Sequence, residues 1–323
     1  MNPFTTTLEP VWQAPTCVWI NSDAVAATSE KIASEGFPTP SWREEVFPSD
    51  DLVFLDFVGI GNAINFAFTD FETHQSFSVQ YKGTLWRGAF AMWACLQRAS
   101  DRGMDLFCGE RLREISVQDV GEIFAGESAI PMLQERWAIL REVGTILSER
   151  YGGRFRNVFL EGEARAFGND GLVDRLVRSF PSFRDESVHR SSGAVLKFQK
   201  RAQLMAMMYQ GRALTTGSLR QLSDFAEVGP IADYSVPRAL HSAGILEYAP
   251  ELEAQIRARQ VIEKHGVAEQ EIRAQTVQAQ VLLLTAINRL RSSPITFINL
   301  DYKLWTMGRG AKEPHHLTIT TAY

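Results

Sequence analysis

Apolar residues recur at spacings of three and four along much of the chain, the period of a helix with one buried face. Between 132 and 151, Leu133, Trp137, Leu140, Val143, Gly144 and Leu147 form such a stripe. The same period predicts helices over 22–35, 88–102, 170–179, 194–210, 218–226, 237–243, 252–264 and 267–291. Ser116-Val117-Gln118-Asp119 has the form of a capping box ahead of a short helix. One region, 51–83, breaks the period. There Ile64-Asn65-Phe66-Ala67-Phe68 alternates, and 76–81 alternates again, with Asp70, Glu72 and His74 between them. That is the pattern of a β-hairpin. Phe57-Val58-Gly59-Ile60-Gly61 then reads as a tight bend before the first strand. It partly matches a dinucleotide-binding loop, but no third glycine stands at the required spacing. The expected fold class is mainly α with a small antiparallel sheet. Residues 1–50, rich in Pro, Ser and Thr, are expected as an N-terminal segment packed on the body. Residues 51–323 are expected as one continuous unit.

Composition narrows the classes of function. The chain has 323 residues, 45% hydrophobic and 22% charged, as an ordinary folded domain has. A formal charge of −5 argues against a broad basic surface for nucleic acid or anionic membrane. Cys17, Cys95 and Cys108 lie far apart with no CxxC or Cys/His cluster, so neither a disulfide framework nor a zinc site is indicated. The first residues lack the basic start and apolar run of a signal peptide. The longest purely aliphatic run, 281–284, is far short of the roughly 20 residues that span a bilayer. These features lead us to expect a soluble cytoplasmic protein with no membrane partner.

Five places could carry chemistry. Asn65 lies in an apolar stretch, where an unpartnered buried amide costs about 1–3 kcal/mol. Either a neighbouring loop or a ligand could satisfy it. Core packing alone explains Phe66. Lys200-Arg201-Ala202-Gln203 leads into the very apolar Leu204 to Met208. Its two cations are either a solvated rim or a holder for phosphate. Ala232-Asp233-Tyr234-Ser235-Val236-Pro237 is a helix start in which Asp233 is either a cap or a carboxylate projecting into a pocket. Asp301 and Trp305 stand four apart and share a face if helical. They suit either a polar heterocycle or a surface acid beside a packing ring. His315-His316 opens a tail, with Thr318, Thr320 and Tyr323, that alternates enough for a terminal strand paired with the hairpin.

Taken in order, these blocks resemble the queuosine salvage family of queuosine 5′-phosphate N-glycosylases, from about residue 51 to the end. The resemblance also uses Glu135-Arg136 to Gly144, Phe180-Pro181-Ser182-Phe183-Arg184-Asp185 and Gly244 to Tyr248. It implies an architecture like that of the helical DNA glycosylases. It further implies metal-free, cofactor-free hydrolysis of queuosine 5′-monophosphate to queuine and ribose 5-phosphate, and no stable nucleic-acid complex. The family's central acid matches Asp233, with Tyr234 beside it. Its substrate contacts match Asn65, Phe66, Lys200, Arg201, Asp301, Trp305 and His316. Two departures stand out: Met207 where the family often has an acid, and Thr69 where it often has Trp.

The implied chemistry suits these residue types. Breaking a ribosyl C–N bond builds positive charge on the sugar, which a carboxylate at 233 stabilises more than the ground state. The carboxylate could instead activate water or form a sugar ester. A 7-deazaguanine lacks N7, the usual purine protonation site, so catalysis leans on the sugar side. Asp301 is the expected partner of the queuine amine or diol. Phe66 and Trp305 are the stacking groups, and Lys200, Arg201 or His316 the phosphate contacts. A base glycosylase acting on DNA or RNA and a non-catalytic binder of queuine nucleotides are the alternatives.

Overall fold

The computed structural model describes residues 2–168 and 170–323. Helices dominate among them, and three separate two-stranded antiparallel sheets complete the fold. The mainly α expectation holds, with three small ribbons in place of one. None of the described helices is long and apolar enough to cross a membrane. The chain divides into two units, one built from 2–40, 185–203 and 226–319, the other from 204–225, 320–323 and the described part of 41–184.

In the first unit, helices Ser22–Ile32, Ser235–Ser242, Val267–Leu290 and Phe297–Gly310 share an apolar core that includes Val25, Leu240, Leu283, Leu300 and Leu304. Strand Val18–Ile20 pairs with Leu246–Tyr248 over this core. Helix Val267–Leu290 is unusual because its N-terminal half buries Glu269, Gln270, Glu271, Arg273, Gln275 and Thr276. Buried polar groups need partners. Glu271 finds them in the backbone N–H groups of Thr16, Cys17 and Val18, at 2.7–2.9 Å. The helix expected over 194–210 begins late. Val195–Lys197 is a strand against Glu186–Val188, and Gln199 takes a left-handed φ of +49° before helix Lys200–Ala213 starts. Helix Pro250–Arg257 is shorter than expected, with Arg259 left-handed at φ +55° just beyond it. The tail forms no strand. Leu317 makes one parallel bridge to Val261, and its carbonyl accepts the N–H of Ile262 at 2.7 Å.

The second unit holds the largest correction. Residues 51–63 form a helix, Asp51–Ala63, capped by Asp50, whose carboxylate accepts the Val53 N–H at 2.8 Å. Gly59 and Gly61 are not a bend. A Cβ at Gly59 would lie 2.2 Å from the Phe155 ring, and one at Gly61 would lie 1.7 Å from the Trp93 ring. The glycines are there because aromatic rings press onto the helix backbone. Residues 64–68 follow outside any strand, with Ile64 in a turn and Ala67 at a left-handed φ of +42°. The hairpin lies further on, Ser78–Tyr81 against Thr84–Arg87, with Lys82 and Gly83 both left-handed as a two-residue turn requires. The tail's last carbonyl, on Tyr323, accepts the Ala67 N–H at 3.1 Å. The capping box at Ser116 forms as expected, with both reciprocal bonds at 3.0 Å. The helix expected over 218–226 is reduced to the single turn Phe225–Glu227. Tertiary bonds compete for it: the Leu222 N–H goes to Gln210 Oε1, and Asp224 accepts from Ala166 and Phe167.

Candidate active site

In the first unit, three elements bring ionisable groups together. Asp233 immediately precedes helix Ser235–Ser242. Its Oδ1 accepts the N–H groups of Ser235 and Val236 at 2.8 and 2.9 Å, so one oxygen is indeed a cap. Among the described residues, Oδ2 has no hydrogen-bond donor. The side chain is buried, with 8% of the residue exposed.

Lys200 opens helix Lys200–Ala213, and its N–H donates to Asp185 Oδ2 at 3.1 Å. Lys200 and Arg201 are 4% and 2% exposed, so they are not a solvated rim. Burial lowers the Lys200 ammonium pKa. Asp233, Asp301 and Asp185 oppose that effect, and Arg201 adds to it. Asp185 anchors this corner through a two-toothed ion pair with Arg273, at 2.8 and 2.6 Å. Burial alone would push the Asp185 carboxyl up, but Arg273 and the Lys200 N–H hold it below the usual carboxylate value. The Arg273 guanidinium also lies 4.0 Å from the Phe198 ring centroid.

Asp301 lies on helix Phe297–Gly310, which starts at a Thr296–Asn299 capping box. Burial, and then the charge of Asp233, push its pKa well above the ordinary value, with Lys200 acting in the other direction. Among the described residues its buried Oδ1 has no hydrogen-bond partner, and its burial rules out the surface-acid alternative. Asp301, Trp305 and Gly308 form one row along this helix. A Cβ at Gly308 would lie 2.0 Å from the Ser235 carbonyl oxygen. The glycine therefore lets the row carrying Asp301 approach the segment that starts at Asp233. Trp305 is half-buried, with the Tyr302 ring stacked at 6.1 Å and the Arg309 guanidinium 4.8 Å from its centroid.

Tyr234 stacks on His315 at 4.5 Å. His315 Nδ1 lies 2.6 Å from the His316 carbonyl, which can only accept, so Nδ1 carries the proton. Burial drops His315 to about 4 and His316 to about 3. Both rings are neutral at pH 7. The unfolded chain binds more protons than the folded one between these values and the ordinary 6.5, so stability falls as pH drops through that window. His316→Gln removes one such site. Its loss of unfolding free energy between pH 7 and pH 4.5 is expected to be about 2 kcal/mol smaller than that of the wild type, read from urea transitions. Equal losses would show that His316 does not titrate in this way.

Asn65 and Phe66 belong to the second unit. The Asn65 amide donates to Asn62 Oδ1 at 3.1 Å, so a neighbouring side chain partners it. Phe66 is fully buried, and the Arg136 guanidinium lies 4.3 Å from its centroid. Met207 is buried in the apolar part of its helix, and Thr69 makes an isolated bridge to Ser76. Among the described residues, no group of three or more His, Cys, Asp or Glu side chains could hold a metal ion. Sequence reasoning gave no role to Asp185, Arg273 or His315. A signal for Arg273 was present: it follows Glu269, Gln270 and Glu271 in a helix otherwise patterned for the core.

A family model described as "Queuosine salvage protein" matches residues 47–323. The chain belongs to the queuosine salvage protein family. A protein of Sphaerobacter thermophilus named queuosine 5′-phosphate N-glycosylase/hydrolase is 36% identical, over 99% of this chain and 97% of the relative. Proteins of the same name from Mus musculus and Schizosaccharomyces pombe are 29% and 27% identical. They cover 95% and 90% of this chain, and 94% and 87% of their own lengths. Every site residue that the queuosine salvage resemblance pointed to lies within the matched span.

Proposed function

We propose that this protein is an N-glycosidase that hydrolyses queuosine 5′-monophosphate to queuine and ribose 5-phosphate, with Asp233 as its central acid. One observation carries the assignment of the acid. Asp233 has one oxygen fixed by two backbone N–H groups and the other unengaged, in a buried group with Lys200 and Asp301. Two fixed donors hold the carboxylate rigid, so it need not reorganise as charge develops.

When the C1′–N bond breaks, its electron pair leaves with the base and positive charge remains on the sugar. Asp233 Oδ2 stabilises that charge. The oxygen of a water molecule bonds to C1′, and a water proton ends on the base nitrogen. No cofactor is needed. Lys200 and Arg201 supply buried positive charge for the 5′-phosphate. His316 adds a neutral N–H. Asp301, whose buried Oδ1 has no hydrogen-bond partner among the described residues, is the polar group for the queuine amine or diol. Trp305 offers a ring for the base, with Tyr234 flanking the acid. The net charge of −5 fits a small nucleotide better than a polymer, which demands many cationic contacts. The three cysteines are free thiols, which fits action in the reducing cytoplasm.

Incubation of the wild type with queuosine 5′-monophosphate, and separately with a queuosine-containing RNA oligonucleotide, tests this. Chromatography is expected to show queuine and ribose 5-phosphate in equal amounts from the nucleotide and intact RNA. Release from the RNA alone would favour a nucleic-acid glycosylase. Nucleotide bound but unchanged would favour a carrier.

A further inference from the structure

The loop that ends in Asp233 is tied down by buried side-chain amides. Gln280, on helix Val267–Leu290, donates from Nε2 to the Ile231 carbonyl at 2.8 Å. Gln203 lies one turn beyond Lys200 on the same helix. Its Oε1 accepts the Gly229 N–H at 3.2 Å, and its Nε2 donates to the Phe198 carbonyl at 2.8 Å. The third amide comes from the start of the chain. Asn2 Nδ2 donates to Gln203 Oε1 at 2.6 Å and to the Gly229 carbonyl at 2.7 Å. Its Oδ1 accepts the Phe4 N–H at 2.9 Å. Asn2 is 4% exposed, so these bonds face little competition from water. One NH₂ group thus satisfies an acceptor on the Lys200 helix and another on the Asp233 loop. Residue 2 lies outside the span 47–323 matched by the family model.

We propose that Asn2 is a positioning residue: with Gln203, its carboxamide locks the Asp233 loop to the first turn of the Lys200 helix. The proposal rests on the roles given above to Asp233 and Lys200. Without the clamp, Gln203 Oε1 keeps only the Gly229 N–H, and the Gly229 carbonyl and the Phe4 N–H lose the partner that Asn2 gave them. The acid then loses its register against the lysine. A misplacement of about 1 Å in a catalytic group can cost about a hundredfold in rate.

A plain anchor for the N-terminal segment would behave differently, and Trp12 supplies the comparison. Its Nε1 donates to the Ala274 carbonyl at 2.8 Å, holding the same segment by a hydrogen bond that involves neither the loop nor Gln203. The test compares Asn2→Ala, the isosteric Asn2→Asp, which lacks the donor, and Trp12→Phe. Steady-state kinetics use queuosine 5′-monophosphate, and hydrogen exchange follows the Ser235 and Val236 amides. Both Asn2 variants are expected to lose kcat about 10- to 100-fold with KM within about threefold, and to exchange these amides faster. Trp12→Phe is expected to keep kcat and amide protection within about twofold. Retained kcat and protection in the Asn2 variants, or equal losses in Trp12→Phe, would overturn the clamp. Wild-type protein that leaves the nucleotide intact would sink the functional proposal instead, and the exchange data would still decide whether the clamp exists. Where Asn2→Ala does not fold, Asn2→Asp carries the comparison.

Discussion

Asp233→Asn is expected to bind queuosine 5′-monophosphate yet release queuine at least about a thousandfold more slowly than the wild type. The size follows from charge. A carboxylate about 4 Å from a developing positive centre contributes about 4 kcal/mol at the effective dielectric of a partly buried site. An amide of the same shape lacks nearly all of that, and 1.36 kcal/mol is about tenfold in rate. The fold should survive, because the amide oxygen still accepts the N–H groups of Ser235 and Val236. Single-turnover chromatography measures the rate, and calorimetric titration checks that binding persists. Near-normal turnover would move the charge-stabilising role to another acid, with Asp301 the first to examine.

The second large effect concerns stability, in the second unit. Arg136→Met is expected to lower unfolding free energy by at least about 3 kcal/mol. The Arg136 guanidinium is fully buried and donates to the carbonyls of Ile64 and Phe66, to that of Ala67 at 2.6 Å, and to that of Pro131 at 3.0 Å. It also faces the rings of Phe66 and Phe68, with centroids at 4.3 and 5.2 Å. Methionine fills the space but leaves four buried acceptors without that donor, each costing about 1–3 kcal/mol. Urea unfolding measures the loss. A change under about 1 kcal/mol would show that other donors replace the arginine.

Arg136 also explains why the sequence misled in this region. Residues 64–68 alternate like a strand, but the carbonyls of Ile64, Phe66 and Ala67 bond to a side chain instead of a neighbouring strand. Alternation reports two faces in different surroundings and does not name the hydrogen-bond partner. The glycines at 59 and 61 misled for a related reason. They serve rings that arrive from Phe155 and Trp93, which no local pattern reveals. Where local chemistry decides, the sequence was legible. The Ser116 capping box, the stripe of helix Leu133–Arg150 and the helix start after Asp233 all stand as their patterns imply.

The candidate site divides along the same line. Lys200, Asp233 and Asp301 could be singled out as residue types in suggestive settings, yet their grouping depends on three separate elements. The burial that raises the Asp301 pKa, and the close approach that Gly308 permits, are properties of packing. The Asp185–Arg273 pair joins positions 88 residues apart, so neither partner's neighbours announce the other.

The most direct measurement is a crystal structure of the Asp233→Asn variant soaked with queuosine 5′-monophosphate. Intact nucleotide is predicted, with C1′ about 3–4 Å from the side chain at 233 and the phosphate near Lys200 or Arg201. A nucleotide whose anomeric carbon lies against a different carboxylate, or against none, would contradict the central role of this acid.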